Sequence, residues 1–281
     1  MTSARSACSR HYCERPGDDI TTPPPSPSAG WDLIPLAEQF VNHDQFRPDP
    51  SAELAGKRFQ LQFEGGPNVT VDLLDPRRLS WRSDGESIWG ESGTADYEAV
   101  TIRPGIYAVT VSRLDQNSSA LVVLDRGKRR ALVNLTTFLG SDGAIREATS
   151  VFQAGVDEPL RSPFMPTTEL IGKRVAHRYS TTHVFEHIYL NPNTYAFQGL
   201  EGPEAGVADV DRADYWKLAE QLYLFSWHER AQPFNGAVVI DLEGGRATGR
   251  LVGWDAEGRR TLQVRTGSRA TLLSVTTYEG I

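Results

Sequence analysis

Cysteine is almost absent from this chain: of 281 residues only Cys8 and Cys13 carry a thiol, and both lie in a polar leader. A disulfide there would staple nothing that folds, which excludes a bridged scaffold. With His11 between them the two thiols fall short of a four-ligand zinc site, so the leader reads as a mobile tail with two free thiols. No run approaches the roughly 18 apolar residues of a membrane span, and the N-terminus lacks the apolar stretch of a secretory signal. The expected location is the cytoplasm, with no membrane partner. Positive charge is also scarce. A net charge of −7 leaves no basic excess to neutralise phosphates, which argues against nucleic acid as a partner. The one compact basic cluster, Asp125 to Arg130, has Gly127 between two strand-like runs and reads as a solvated hairpin turn. There is no Gly-x-Ser-x-Gly elbow. Gly244 to Gly249 lacks the Lys-Ser/Thr ending of a Walker loop and reads as another turn.

What the chain does contain is a repeat. Gly56-Lys57-Arg58 recurs as Gly172-Lys173-Arg174, and the same offset of 116 residues carries Leu74-Asp75-Pro76 onto Leu190-Asn191-Pro192, Ile106-Tyr107 onto Leu222-Tyr223, and Ala120 to Asp125 onto Gly236 to Asp241. One offset held across separated segments marks two copies of one domain. Within a copy, Arg58–Phe63, Val69–Leu74, Leu79–Trp81, Ala99–Ile102, Ile106–Val111 and Ala120–Leu124 are short β-branched or aromatic runs separated by turn residues. About eight such strands in roughly 110 residues suit an up-and-down antiparallel barrel, with a two-sheet sandwich as the alternative. The expected fold class is all-β: two tandem antiparallel β-barrels with a short N-terminal helix. The expected organisation is a disordered leader over 1–30, an N-terminal barrel over 31–153, a linker over 154–167 and a C-terminal barrel over 168–281. Leu33, Leu36, Ala37, Phe40 and Val41 recur at helical spacing, predicting a short amphipathic helix that covers one end of the first barrel.

Repeat-equivalent residues point the same way, so the apolar face of copy one identifies the interior of copy two. Phe59, Leu61 and Phe63 map to Val175, His177 and Tyr179. Val69, Val71 and Leu73 map to Phe185, His187 and Tyr189, and Tyr107, Val109, Val111 and Arg113 map to Tyr223, Phe225, Trp227 and Glu229. Copy one is filled with ordinary apolar side chains. Copy two places imidazoles, phenols, an indole and a carboxylate at the same positions, and burying them without partners would cost a few kcal/mol each. A partly aromatic cavity for a small molecule is the favoured reading, and a self-satisfied polar core is the alternative. A hairpin centred near Thr182 would set His177 opposite His187. With Glu229 these have the ingredients of a two-His-one-carboxylate site, but no dense ligand motif is present and no metal is expected. The acidic segment Glu201 to Asp211 reads equally as a rim loop or a solvated connection.

The second half resembles the MoaF family, named for molybdenum cofactor biosynthesis protein F. The resemblance rests on Phe185 to Asn191, on Gly202 to Asp211, and on Leu222 to Glu229 with Pro233. It is weaker over residues 50 to 150. Val210 stands where that family usually has Thr, and His228-Glu229-Arg230 where it usually has Arg-Glu-Lys. The resemblance implies tandem calycin-like barrels, akin to lipocalins, and puts Glu186, His187, Tyr189, Glu204, Asp209, Tyr223, Trp227 and Glu229 on motif positions. His177 is not among them.

These readings converge on a cofactor-independent lyase, isomerase or cyclase acting on a small aromatic or polyunsaturated metabolite. His187 would exchange a proton, Glu229 would orient it or act as its partner, and Tyr189 and Tyr223 would donate to a developing oxyanion. His177, Tyr179, Phe185, Tyr195, Phe225, Trp227, Glu204 and Asp209 complete the expected binding set. The alternative is a non-catalytic lipocalin-like carrier, linked to molybdenum cofactor biosynthesis by the family name. A homodimer is left open.

Overall fold

A computed structural model describes residues 34–87, 89–140 and 145–278. Cys8, His11, Cys13, Leu33 and the expected disordered leader lie outside the described residues. Eight strands follow one another in an antiparallel meander: β1 Arg58–Phe63, β2 Asn68–Leu73, β3 Arg78–Ser83, β4 Ser92–Arg103, β5 Ile106–Arg113, β6 Ser118–Asp125, β7 Arg130–Leu139 and β8 Arg146–Val156. Pairing of Leu61 with Val156 brings β8 back onto β1 and closes the barrel. After a two-residue strand β9, Met165–Pro166, the pattern repeats with β10 Lys173–Arg178, β11 Val184–Asn191, β12 Thr194–Glu201, β13 Ala208–Ala219, β14 Leu222–His228, β15 Phe234–Asp241, β16 Arg246–Asp255 and β17 Arg260–Val275. The second barrel closes through β10 on β17 and β12 on β13. The fold is all-β, two closed eight-stranded antiparallel barrels in tandem with one short helix, as the repeat predicted.

The offset is kept to the residue where the turns matter most: β4, β6 and β7 recur displaced by 116 residues at both ends as β13, β15 and β16. Backbone conformation repeats with it. Gly105 and its mate Gln221 both take positive φ, at 79° and 54°. The closed ends match too, since Tyr107 donates to Glu53 at 2.7 Å and its mate Tyr223 donates to Glu169, the mate of Glu53, at 2.9 Å.

Strands β6 and β15 are buried on both faces, which explains their unbroken apolar runs. The second face belongs to the contact between barrels. Val100, Ile102, Ala108, Leu121, Val123 and Leu132 of the first pack on Leu218, Leu222, Leu224, Ala237 and Val239 of the second. The contact is isologous. Arg130 donates to the Leu218 carbonyl, and its mate Arg246 donates to the carbonyl of Ile102, the mate of Leu218. Gln263 donates to Ser112, and their mates Glu147 and His228 form an ion pair at 2.8 Å. Asn134 and its own mate Arg250 meet on the pseudo-two-fold axis at 2.9 Å. The barrels dock as two copies of a symmetric dimer would, here joined by one chain.

Two expectations about organisation change. The segment 154–167 is no spacer: Ala154 to Val156 belong to β8, β9 pairs with Trp216 and Lys217, and buried Phe164 lies 3.8 Å beneath the Arg130 guanidinium. The helix is shorter than its pattern, Leu36–Gln39, and it caps the second barrel rather than the first. Leu36 is buried in the core of barrel two, and the Phe40 ring lies 5.8 Å from Phe234. Helical periodicity reveals an apolar face but not which surface will cover it.

Candidate functional site

Barrel two has one end closed by Leu170 and the Tyr223–Glu169 bond, and the other stopped by the segment from Leu36 to Phe46. Under that stopper lies a cavity of about 60 Å³, lined by Tyr179, Phe185, His187, Tyr195, Phe197, Glu204, Trp227, Glu229, Phe234 and Leu251 from the barrel and by Gln39, Phe40 and His43 from the stopper. Alternation along the strands puts these groups inside. On β14 Tyr223, Phe225 and Trp227 face the interior, with Glu229 continuing the alternation just past its end, while Leu222, Leu224, Ser226 and His228 face barrel one.

His187 is the centre of the ring system. Its imidazole is 4.4 Å from that of His177, 5.2 Å from Tyr195, 5.5 Å from Phe225 and 5.8 Å from Trp227, centroid to centroid. Burial, and then the neighbouring His177, hold it neutral, far below the usual imidazole range. Its Nδ1 is buried without a partner, as are His177 Nε2 and the Tyr189 hydroxyl. Each such atom costs about 1–3 kcal/mol of unrecovered desolvation. His177 does bond Ser268 through Nδ1 at 3.0 Å, and burial lowers its pKa to about 3.

Carboxyls crowd the rim. Burial raises Glu229 to about 8, against a hydrogen bond from Gln232 and with the charges of Asp211, Glu204 and Asp209 adding to the rise. Asp211, 2% exposed, rises to about 7, also by burial first. Glu204 is raised for the same reason. Gln232 ties the cluster to the stopper, its amide donating to both Glu229 and Gln39 at 2.9 Å. On the outer face of the same strand His228 is opposed by burial but held cationic, with its pKa at about 9, by Glu147 and Asp214.

The expected site residues therefore divide. His187, Tyr179, Phe185, Tyr195, Trp227, Glu204 and Glu229 share the cavity. Phe225, fully buried, backs it by stacking on Trp227 at 5.0 Å. Asp209 sits at the rim and acts through its charge on Glu229. His177 and Tyr189 lie one layer deeper. Tyr223 does not belong to the site. Its hydroxyl is spent on Glu169 at the closed end, and because Tyr107 makes the same bond in barrel one its role is to fasten that end. Tyr223→Phe is expected to lose about 1–2 kcal/mol of unfolding free energy in urea titration and to leave the cavity unaltered. His177 does not stand opposite His187: Val175 pairs with His187, and His177 with Phe185, so the imidazoles meet diagonally. Among the described residues no three His, Cys, Asp or Glu side chains converge as metal ligands.

Sequence reasoning missed Gln39, Phe40, His43, Phe197, Phe234, Leu251 and Asp211. The stopper residues precede the repeat, so no mate reported their direction. Asp211 was legible, because its mate Ala95 is buried in the core of barrel one.

Comparison with known proteins bears on the whole chain. Residues 32–139 match the MoaF N-terminal domain and residues 164–276 the MoaF C-terminal domain. The chain belongs to the MoaF family. It is 31% identical over 268 residues to Protein MoaF of Klebsiella aerogenes, an alignment covering 87% of this chain and 95% of that protein. A crystal structure of a "putative beta-lactamase" from Burkholderia vietnamiensis is 18% identical, covering 40% of this chain and 99% of its own, with a TM-score of 0.32. That likeness is too distant to carry an argument. In this MoaF-family chain the C-terminal match includes every barrel residue lining the cavity, while the stopper comes from the N-terminal match.

Proposed function

We propose that barrel two binds a small, largely apolar metabolite and moves a proton on it without a cofactor, as a lyase, isomerase or cyclase does. One observation carries this reading: a single aromatic cavity holds a neutral imidazole and a carboxylic acid whose pKa lies close to neutral pH. Environments that push two titratable groups apart in this way assign a base and an acid. His187 accepts a proton from the substrate, and Glu229 returns one to the neighbouring or departing atom, so the exchange is redox-neutral. Tyr195 replaces Tyr223 as the phenol in reach, and Trp227 with Phe197 supplies the flat walls. A cavity of about 60 Å³ holds a few waters, so the stopper moves aside when substrate enters.

The runner-up is a carrier that stores a metabolite, favoured by the ring-lined wall and the closing stopper. Native mass spectrometry of the purified protein identifies a retained compound, and the His187→Ala variant then separates the readings. Its turnover should fall at least about tenfold with affinity little changed. Unchanged turnover, or a change in affinity alone, sinks the catalytic reading.

A further inference from the structure

The position that holds Glu229 in barrel two holds Arg113 in barrel one. Both face inward at the end of equivalent strands, and both are half-buried at the mouth. Arg113 has no carboxylate partner among the described residues. It donates to the Trp89 carbonyl at 3.2 Å and otherwise stacks on indoles, its guanidinium carbon lying 4.8 Å from the Trp81 ring and 6.0 Å from that of Trp89. The two indoles are 5.8 Å apart, so the three groups form one compact cluster. Trp81 is 4% exposed, and the Nε1 of both indoles is buried with no partner.

Every unspent polar atom in this cluster is a donor. A guanidinium and an indole carry N–H groups and no acceptor, so what completes the cluster is an anion or another acceptor. Loss of both indole hydrogen bonds is costly unless a ligand restores them. Repeat equivalence also supplies an apolar wall: Phe63 and Val69 occupy the positions from which Tyr179 and Phe185 line the cavity of barrel two. That surround favours an organic anion over a hydrated inorganic one.

We propose that the mouth of barrel one is a second binding site, for a small organic carboxylate held by Arg113 between Trp81 and Trp89. It is independent of the acid-lined cavity in barrel two, and the equivalent positions 113 and 229 carry opposite charge. The test is titration of the full chain with benzoate at low salt, followed by tryptophan fluorescence and calorimetry. The unsubstituted protein should bind saturably, Glu229→Gln should bind within about threefold of it, and Arg113→Gln should bind at least about tenfold more weakly, the loss of one charge-assisted pair. Trp89→Phe, which removes one donor and keeps a ring, should weaken binding by a smaller factor while the melting temperature holds, so that a poorly folded Arg113 variant leaves the result decidable. Absence of saturation in the unsubstituted protein, equal affinity in both the Arg113 and Trp89 variants, or loss of binding in Glu229→Gln overturns the proposal.

Discussion

Arg250→Ala should lower the free energy of unfolding by about 3–4 kcal/mol, among the largest losses open to a single side chain in this protein. Arg250 is completely buried where the barrels meet. It donates to Asn235 Oδ1 at 3.1 Å and to Asn134 Oδ1 and Thr136 Oγ1 at 2.9 Å. Truncation deprives these buried acceptors of a donor, at about 1–3 kcal/mol for each left unsatisfied, and leaves a cavity besides. The opposing effect is that no carboxylate among the described residues bonds the guanidinium: burial, against the more distant charge of Glu147, lowers its pKa to about 9, and deleting the charge returns that desolvation cost. The acceptors win because there are several of them and they cannot reach water. The loss should also reach the cavity, since Asn235 donates to the Trp227 carbonyl at 2.8 Å and so holds the end of the strand that carries Trp227 and leads into Glu229. Chemical denaturation with far-UV and tryptophan signals measures both effects. A variant as stable as the parent would mean that the polar layer contributes position and not stability.

Much of this was legible in the sequence because duplication supplies an internal reference. Offset matching located the strands, the aliphatic mates Val71 and Val111 pointed to His187 and Trp227, and strand alternation through Arg113 pointed to Glu229. Three things escaped it, each for a physical reason. Hairpin register depends on where the turn is centred, and a shift of one residue there is invisible to strand alternation. The hairpin of copy two centres on Thr181, one residue before Thr182, which moves every cross-strand partner by two positions and accounts for the diagonal meeting of His177 and His187. Tyr223 reads as a site group from its inward position and its place on a family motif, although its mate Tyr107 is also Tyr, and a residue kept in both copies reports what both copies need. The stopper lies outside the repeat. Its docking on barrel two is a long-range choice made by Phe234, Leu251 and Tyr179, which meet Phe40 and His43.

Glu229→Gln should change the dependence of stability on pH, and the sign follows from linkage. The carboxyl of Glu229 has a folded-state pKa of about 8, above the ordinary 4.5. Below the ordinary value it is protonated in both the folded and the unfolded chain, so the amide and the acid should be equally stable there. As pH rises toward 8 the unfolded chain gains the charge that the folded chain refuses, and the parent protein loses stability that the amide variant keeps. Above 8 the gap should level off at about 3 kcal/mol in favour of the variant, after allowing for the partial exposure of the side chain. The bond from Gln232 survives because an amide oxygen accepts as a carboxylate oxygen does. Melting curves of both proteins from pH 4 to pH 9 show whether the gap opens. The same titration predicts the catalytic behaviour: once a substrate is known, the parent's rate should fall as pH passes about 8 and the general acid is lost, and the variant should be slow at every pH. A variant that gains stability at high pH and yet keeps full turnover would leave Glu229 as a strained wall residue and assign the proton to another group.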